Sequence, residues 1–203
     1  MRSRTMSSPA DFPLPAKAAT RNPHALSLPS PWIVRWSHLV RQHGTVLDVA
    51  CGQGRHMQWF AQHNHSVTGV DRAPHAIAFA EEYGRTVCAD IENGPWPFAH
   101  EQFDAVVVAN YLWRPLLPTL LHSLAPGGVL IYETFAQGNE TVGKPSRPDF
   151  LLRPGELLTV CAGLHVVGYE QGFLDSPARF VQRIAAVKPP ELPEGAAPVR
   201  YML

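Results

Sequence analysis

Apolar residues along this chain recur in two alternating rhythms. Over residues 32–42, Trp32, Ile33, Trp36, Leu39 and Val40 follow helical spacing, and Gly44 ends the pattern. Residues 45–50, TVLDVA, have the composition of a short buried strand. Residues 55–63 place Met57, Phe60 and Ala61 on one stripe, and 66–70, SVTGV, form a second strand-like run. Pro74 suits the first turn of a helix reaching about residue 83, and 86–89 read as a third strand. A turn-rich connection over 90–102 carries Gly94, Pro95 and Pro97. The strongest strand signal is 103–109, FDAVVVA. Leu117, Leu120, Leu121 and Leu124 then mark a helix, followed by a fifth strand over 128–134, GVLIYET. A long polar stretch over 135–152 precedes a helix at 154–162, and 164–169 with 180–187 read as a closing hairpin. Strands alternating with helices predict a doubly wound, mostly parallel α/β sheet with helices on both faces. In such sheets ligands bind at the carboxyl ends of the strands, near the switch in strand order. The connections after residues 50, 70, 89, 109 and 134 are therefore expected to form one site.

Composition narrows the picture. Of the 20 prolines in 203 residues, six precede Trp32 and four follow Lys188. Residues 1–30 are thus expected to be a proline-rich leader, 31–188 the folded domain and 189–203 a proline-rich tail. Seventeen basic and 17 acidic residues cancel, so no global footprint for nucleic acid or a membrane surface is visible. No run of 18 apolar residues suggests a membrane span. The start has arginines but no apolar stretch, unlike a secretory signal. Cys51, Cys88 and Cys161 form no CxxC pair, which points to reduced thiols, a cytoplasmic setting and no zinc site.

The chemistry concentrates in VLDVACGQGRH, residues 46–56. Gly52 and Gly54 after the first strand permit a tight turn and close ligand approach. Asp48 sits near the exit of that strand, where a pyrophosphate would be repelled and a cationic ligand welcomed. The third glycine of a dinucleotide fingerprint is absent, because position 57 is Met. Asp71 ends the second strand, where a carboxylate can take both hydroxyls of a ribose. Asp90 and Ile91 end the third, offering a carboxylate, an N–H and an apolar face to a base. Each aspartate alone could equally be a cap or a turn residue. Three of them at adjacent strand ends fit an uncharged nucleoside bearing a positive group, as in S-adenosylmethionine (SAM).

At this point the sequence resembles the class I SAM-dependent methyltransferases. VLDVACGQGRH is similar to their first motif, VTGVD to the second, CADIE to the third, FDAVVVANYLW to the fourth and LAPGGVLIYETF to the fifth. The GRH variant and the segment from ETF to LLRPGEL resemble the small-molecule and tellurite-resistance-type branch. The resemblance implies a Rossmann-like seven-stranded sheet with a C-terminal antiparallel strand. It implies SAM as cofactor, with Gly52 and Gly54 along its methionine and ribose part and Asp48 at its amino group. Asp71 would hold the ribose hydroxyls, and Ala50 and Arg72 are further cofactor-binding candidates. Asp90 and Ile91 would take the adenine, and Ala109 or Asn110 would offer a backbone carbonyl.

The acceptor is expected over the strand ends. Tyr111, Trp113 and Phe135 are candidate pocket walls, His56 a candidate contact beside the glycine loop, and Lys144 and Arg147 candidate cations for an anionic acceptor. The chain lacks the [ND]PP[YFW] element of nucleic-acid amine methylation, the paired cysteines of cytosine-5 methylation and recognisable metal-site carboxylates. A small-molecule acceptor follows by elimination. An RNA or protein methyltransferase, a non-catalytic SAM-binding protein and a nicotinamide oxidoreductase are the alternatives, the last opposed by Asp48 and Met57.

Overall fold

A computed structural model describes residues 26–193 and 195–203; residues 1–25 of the expected leader lie outside it. Five helices, α1 (Pro31–Trp36), α2 (Arg55–Gln62), α3 (Pro74–Ala80), α4 (Leu117–His122) and α5 (Glu156–Val160), flank a seven-stranded sheet. Its strands are β1 (Thr45–Val49), β2 (Ser66–Asp71), β3 (Arg85–Cys88), β4 (Phe103–Ala109), β5 (Leu124–Phe135), β6 (His165–Asp175) and β7 (Ala178–Val187). They run in the order β3-β2-β1-β4-β5-β7-β6. The first five are parallel, and β7 pairs antiparallel with both β5 and β6. This is the expected doubly wound sheet with its antiparallel closure, and the order reverses between β1 and β4.

Period-2 alternation along the strands sends apolar side chains to both faces, so the sheet carries two cores. On one, Trp32, Ile33 and Trp36 of α1, Met57 and Phe60 of α2 and Ile77 of α3 cover Val46, Val107, Ile131 and Ala185. On the other, the leucines of α4 and Leu157 of α5 cover Leu47, Val106, Leu130 and Ile184.

Several boundaries differ from the sequence reading. The first helix stops at Trp36 and tightens into a 3₁₀ turn, Ser37–Leu39, where Ser37 Oγ donates to Val34 O at 2.8 Å. Leu124, expected to close the leucine helix, opens β5 instead, by pairing with Phe103. The predicted 154–162 helix is confined to Glu156–Val160. The closing hairpin is much longer than its apolar segments, because β6 and β7 stay paired out to Asp175 and Ala178. The edge strand β6 faces solvent over most of its length, so no apolar alternation reports its polar middle. The expected tail is partly docked. Tyr201 packs on His165 at 4.9 Å between ring centroids, and the Met202 carbonyl lies 3.1 Å from His38 Nε2.

Candidate active site at the carboxyl edge of the sheet

The turn after β1 is built from residues with left-handed backbone. Ala50, Gly52 and Gly54 have φ of 54°, 54° and 86°. Ala50 holds this conformation with a Cβ, a local strain of the kind that clusters at ligand sites. A Cβ at Gly52 would meet nothing within 4 Å, so this turn faces open space. Gly54 is closed in: a Cβ there would press on Ala80 at 3.1 Å, so it packs α2 against α3. Asp71 anchors the turn from the end of β2. Its Oδ2 accepts from Gly52 N and its Oδ1 from Ala73 N, both at 2.9 Å.

Beneath the turn, Asp48 is 1% exposed and its Oδ2 has no hydrogen-bond partner. Burial pushes its carboxyl up to about 7; Arg55 and the Met57 N–H oppose the rise, and Asp71 adds to it. An unpaired buried carboxylate is costly unless a cation comes to it. Asp90 sits in an exposed turn. Its carboxylate accepts from Asn93 Nδ2 at 3.0 Å and from the Glu92 and Asn93 N–H groups at 3.0 and 3.2 Å. These bonds hold it below the usual carboxylate range.

A cavity of about 400 Å³ opens along these strand ends. Among the expected cofactor residues, Ala50, Asp71, Arg72, Asp90, Ile91 and Asn110 line it; among the expected acceptor residues, Tyr111 and Phe135 do. Asn110 is again left-handed, with φ of 57°, and its N–H donates to Glu133 O at 2.9 Å. Burial, and then the charge of Glu92, raise the Tyr111 hydroxyl well above its ordinary range, so it stays a neutral donor. That hydroxyl has no hydrogen-bond partner, while Tyr132 Oη donates to the Tyr111 carbonyl at 2.8 Å.

The structure places the remaining candidates elsewhere. Trp113 packs against the second core. Lys144 and Arg147 are exposed, and Arg147 pairs with Asp149 at 3.0 Å. Ala109 pairs with Glu133 in the β4–β5 register and does not line the cavity. His56 is 3% exposed, and its Nε2 accepts from Ser30 N at 3.1 Å. Burial, with Arg55 beside it, pulls the ring down to about 3, so it stays neutral and fastens the chain before α1.

Sequence reasoning missed Ala89, Glu92, Leu112, Thr134, Pro145 and Phe150, which complete the cavity. Pro145 and Phe150 come from the long connection after β5. That connection is tied at its base by Leu152 N to Phe135 O and Gln137 N to Leu152 O, both 2.9 Å. Arg114 fastens it from above, donating to both Glu156 oxygens at 2.7 and 2.9 Å and to the Asp149 and Leu151 carbonyls at 2.8 Å. Also missed was Glu133, 1% exposed near the end of β5. It accepts from Ser30 Oγ at 2.8 Å and pairs with Arg183 Nε at 2.9 Å. A lone acid in the apolar run GVLIYET was the available signal.

A parallel sheet switching between β1 and β4, an acid at each of the first three strand ends and an open glycine turn over a buried carboxylate come together at one edge of the sheet. Residues 46–128 match the family model described as a methyltransferase domain. Among curated proteins, the chain is 35% identical over 97 residues to a 2-heptyl-1-hydroxyquinolin-4(1H)-one methyltransferase of Mycobacteroides abscessus, covering 48% of this chain and 39% of that protein. It is 33% identical over 103 residues to a malonyl-[acyl-carrier protein] O-methyltransferase of Pectobacterium atrosepticum, covering 46% and 40%. The chain thus spans about two fifths of the length of these relatives. Among solved structures, TehB from Haemophilus influenzae superposes with a TM-score of 0.64 at 21% identity, covering 77% of this chain and 61% of that one. A magnesium protoporphyrin IX methyltransferase from Synechocystis, solved with bound S-adenosylhomocysteine, gives 0.59 at 16%, covering 77% and 78%. Residues 46–128 are thus similar to a methyltransferase domain, and the sheet has the fold of the SAM-dependent methyltransferases it superposes on.

Proposed function

We propose that the chain is an enzyme that moves a methyl group from SAM to a small-molecule acceptor. The observation that carries this reading is the unpartnered Oδ2 of the Asp48 carboxylate, buried below a glycine turn that faces open space. The residues fit the cofactor. Asp48 would take its ammonium group, the Asp71 carboxylate its ribose hydroxyls, and Asp90 with Ile91 its adenine. The remaining proposed contacts are Ala50, Gly52 and Arg72 around the turn, Gly54 supporting it from below, and Asn110 and Ala109 at the end of β4.

SAM, when bound, supplies a methyl group already activated on a sulfonium. The chain's task is then to hold the acceptor in line and keep water out. Tyr111, Leu112, Phe135, Pro145 and Phe150 wall the cavity beyond the aspartates, an apolar enclosure suited to a small organic molecule. Arg114 holds that enclosure together. The Tyr111 hydroxyl, a neutral donor beside Glu92, can orient an acceptor oxygen or nitrogen.

Support for a small acceptor comes from the two curated relatives, each named for a methylation of that class or of a carrier-bound acid. Among the described residues, no helix is long and apolar enough to cross a membrane. The free thiols of Cys51, Cys88 and Cys161 fit a cytoplasmic setting. A screen with radiolabelled methyl donor over hydroxylated aromatics, carboxylic acids, oxyanions, RNA and protein tests the proposal. Labelled small-molecule product is the expected result. Label in RNA or protein would move the acceptor class, and SAM binding without turnover would leave a binding protein.

A further inference from the structure

Resting on the SAM reading above, we propose that the methyl acceptor is an uncharged, mostly apolar molecule that presents a hydroxyl, and that Thr134 is the residue that takes this hydroxyl. The cavity is divided along the sheet edge. Its charged residues, Asp71, Arg72, Asp90 and Glu92, all stand at or just after the ends of β2 and β3. The other half comes from β5 and the connections after β4 and β5. It runs from Asn110 and Tyr111 to Pro145 and Phe150 and carries no ionised side chain.

The cofactor accounts for the charged half, with Asp71 placed at its ribose and Asp90 at its adenine. The acceptor is left the uncharged half. There Thr134 is the most deeply set polar residue, 2% exposed, while Asn110 is exposed and Tyr111 half-buried. Thr134 stands near the end of β5, on the face of Leu130 and Tyr132 that looks to the second core. Its partner in the β5–β7 register, Gln182, is already committed: it accepts from Leu157 N at 2.6 Å and donates to Arg153 O and Gln171 Oε1 at 2.9 and 3.1 Å.

An anionic acceptor finds no partner in this half. Glu133, one residue earlier, stands on the opposite face with Ile131, and Arg183 and Arg179 gather at its oxygens there, at 2.9 and 3.9 Å. Arg114 is engaged by Glu156 and Arg147 by Asp149, and Lys144 is exposed. None of these cations lines the cavity. The Ala136 and Gln137 N–H groups, just past β5, already donate to the Phe180 and Leu152 carbonyls. At the boundary between the halves, Glu92 and Asp90 outweigh Arg72 around the Tyr111 hydroxyl, so the field there is negative. A carboxylate would lose its hydration here without a counter-charge, whereas a neutral hydroxyl needs only a hydrogen bond.

A hydroxyl that donates to Thr134 Oγ1 keeps its own lone pairs for the methyl group. On transfer the oxygen–carbon bond forms as the carbon–sulfur bond breaks. The bonding pair stays on sulfur, and the hydroxyl proton leaves to water.

The test uses the full chain saturated with S-adenosylhomocysteine and titrated by NMR with two pairs of probes. Benzamide against benzoate isolates charge, and phenol against toluene isolates the hydroxyl. Benzamide is expected to bind at least about tenfold tighter than benzoate, the cost of burying an unpaired charge. Phenol is expected to bind at least about threefold tighter than toluene, the gain from one neutral hydrogen bond. Thr134→Val should level phenol with toluene and leave the preference for benzamide, while Thr134→Ser should keep both preferences. Both variants should hold S-adenosylhomocysteine affinity within about twofold, since Thr134 lies outside the cofactor's half. Benzoate binding as tightly as benzamide would overturn the uncharged acceptor. A phenol preference that survives in Thr134→Val would overturn the role of Thr134, and no binding of phenol at millimolar concentration would overturn both. If wild-type protein fails to bind S-adenosylhomocysteine, the cofactor reading itself has failed and this inference goes with it.

Discussion

Replacing Asp48 by Asn probes the buried carboxylate with almost no change of shape. In the cofactor-free protein its carboxyl stands at about 7 against 3.8 for an ordinary aspartate, because burial disfavours the charge. Roughly three units of difference correspond to a penalty on the order of 4 kcal/mol for the ionised form, at about 1.4 kcal/mol per unit. The sign follows from proton counts. Between pH 4 and pH 7 the folded chain holds a proton that the unfolded chain has released. Folding stability therefore falls as pH rises across that interval and levels off above it. Asp48→Asn removes the slope, so the variant should unfold at a higher temperature than wild type at pH 8, by roughly 10 °C for a penalty of this size. Cofactor binding should move the other way. A cation needs Asp48 ionised, so at pH 6 binding must expel close to one proton. Wild-type affinity for S-adenosylhomocysteine should then be about tenfold weaker at pH 6 than at pH 8. In Asp48→Asn binding should be weaker by about 10- to 150-fold at pH 8, the loss of a charged hydrogen bond, and this source of pH dependence should vanish. Calorimetry in buffers of different ionisation enthalpy reads both affinity and released protons. A variant that binds as tightly as wild type, with the same proton release, would refute the assignment of Asp48 to the cofactor's ammonium group.

Three further outcomes are expected. Gly52→Val should abolish S-adenosylhomocysteine binding in a folded protein, checked by circular dichroism and titration, because a β-branched residue is strained at φ of 54° and its side chain enters the open space. Arg114→Ala should lower thermal stability by about 2 kcal/mol, because it strips two hydrogen bonds from Glu156 and leaves two loop carbonyls unpaired; in the methyl-transfer assay it should raise acceptor KM more than cofactor Kd. The double change Lys144→Ala with Arg147→Ala should leave cofactor affinity and acceptor kinetics within about twofold of wild type, since exposed pairs contribute under about 1 kcal/mol and neither residue lines the cavity.

The sequence by itself determined the alternation of strands and helices, and with it the parallel sheet and the edge where a ligand belongs. Apolar runs such as FDAVVVA report burial on both faces directly, and Asp48, Asp71 and Asp90 announce themselves by ending or nearly ending such runs. Their chemistry is local, one acid per strand end, which is why spacing alone reveals it. Tertiary structure decided what depends on pairing between distant segments. The polar middle of β6 is a strand only because β7 lies beside it, and Leu124 is a strand residue because Phe103 is its neighbour. His56 looked available beside the glycine loop, yet Ser30, 26 residues earlier, buries and fixes it. Arg179 and Glu133 lie 46 positions apart and no motif links them; the antiparallel return of β7 along β5 brings them together. Lys144 and Arg147 show the converse. Cations on a long connection read as acceptor ligands in the sequence, while the fold sets Pro145 and Phe150 of that connection along the cavity and leaves the charges in water, where their hydration is kept.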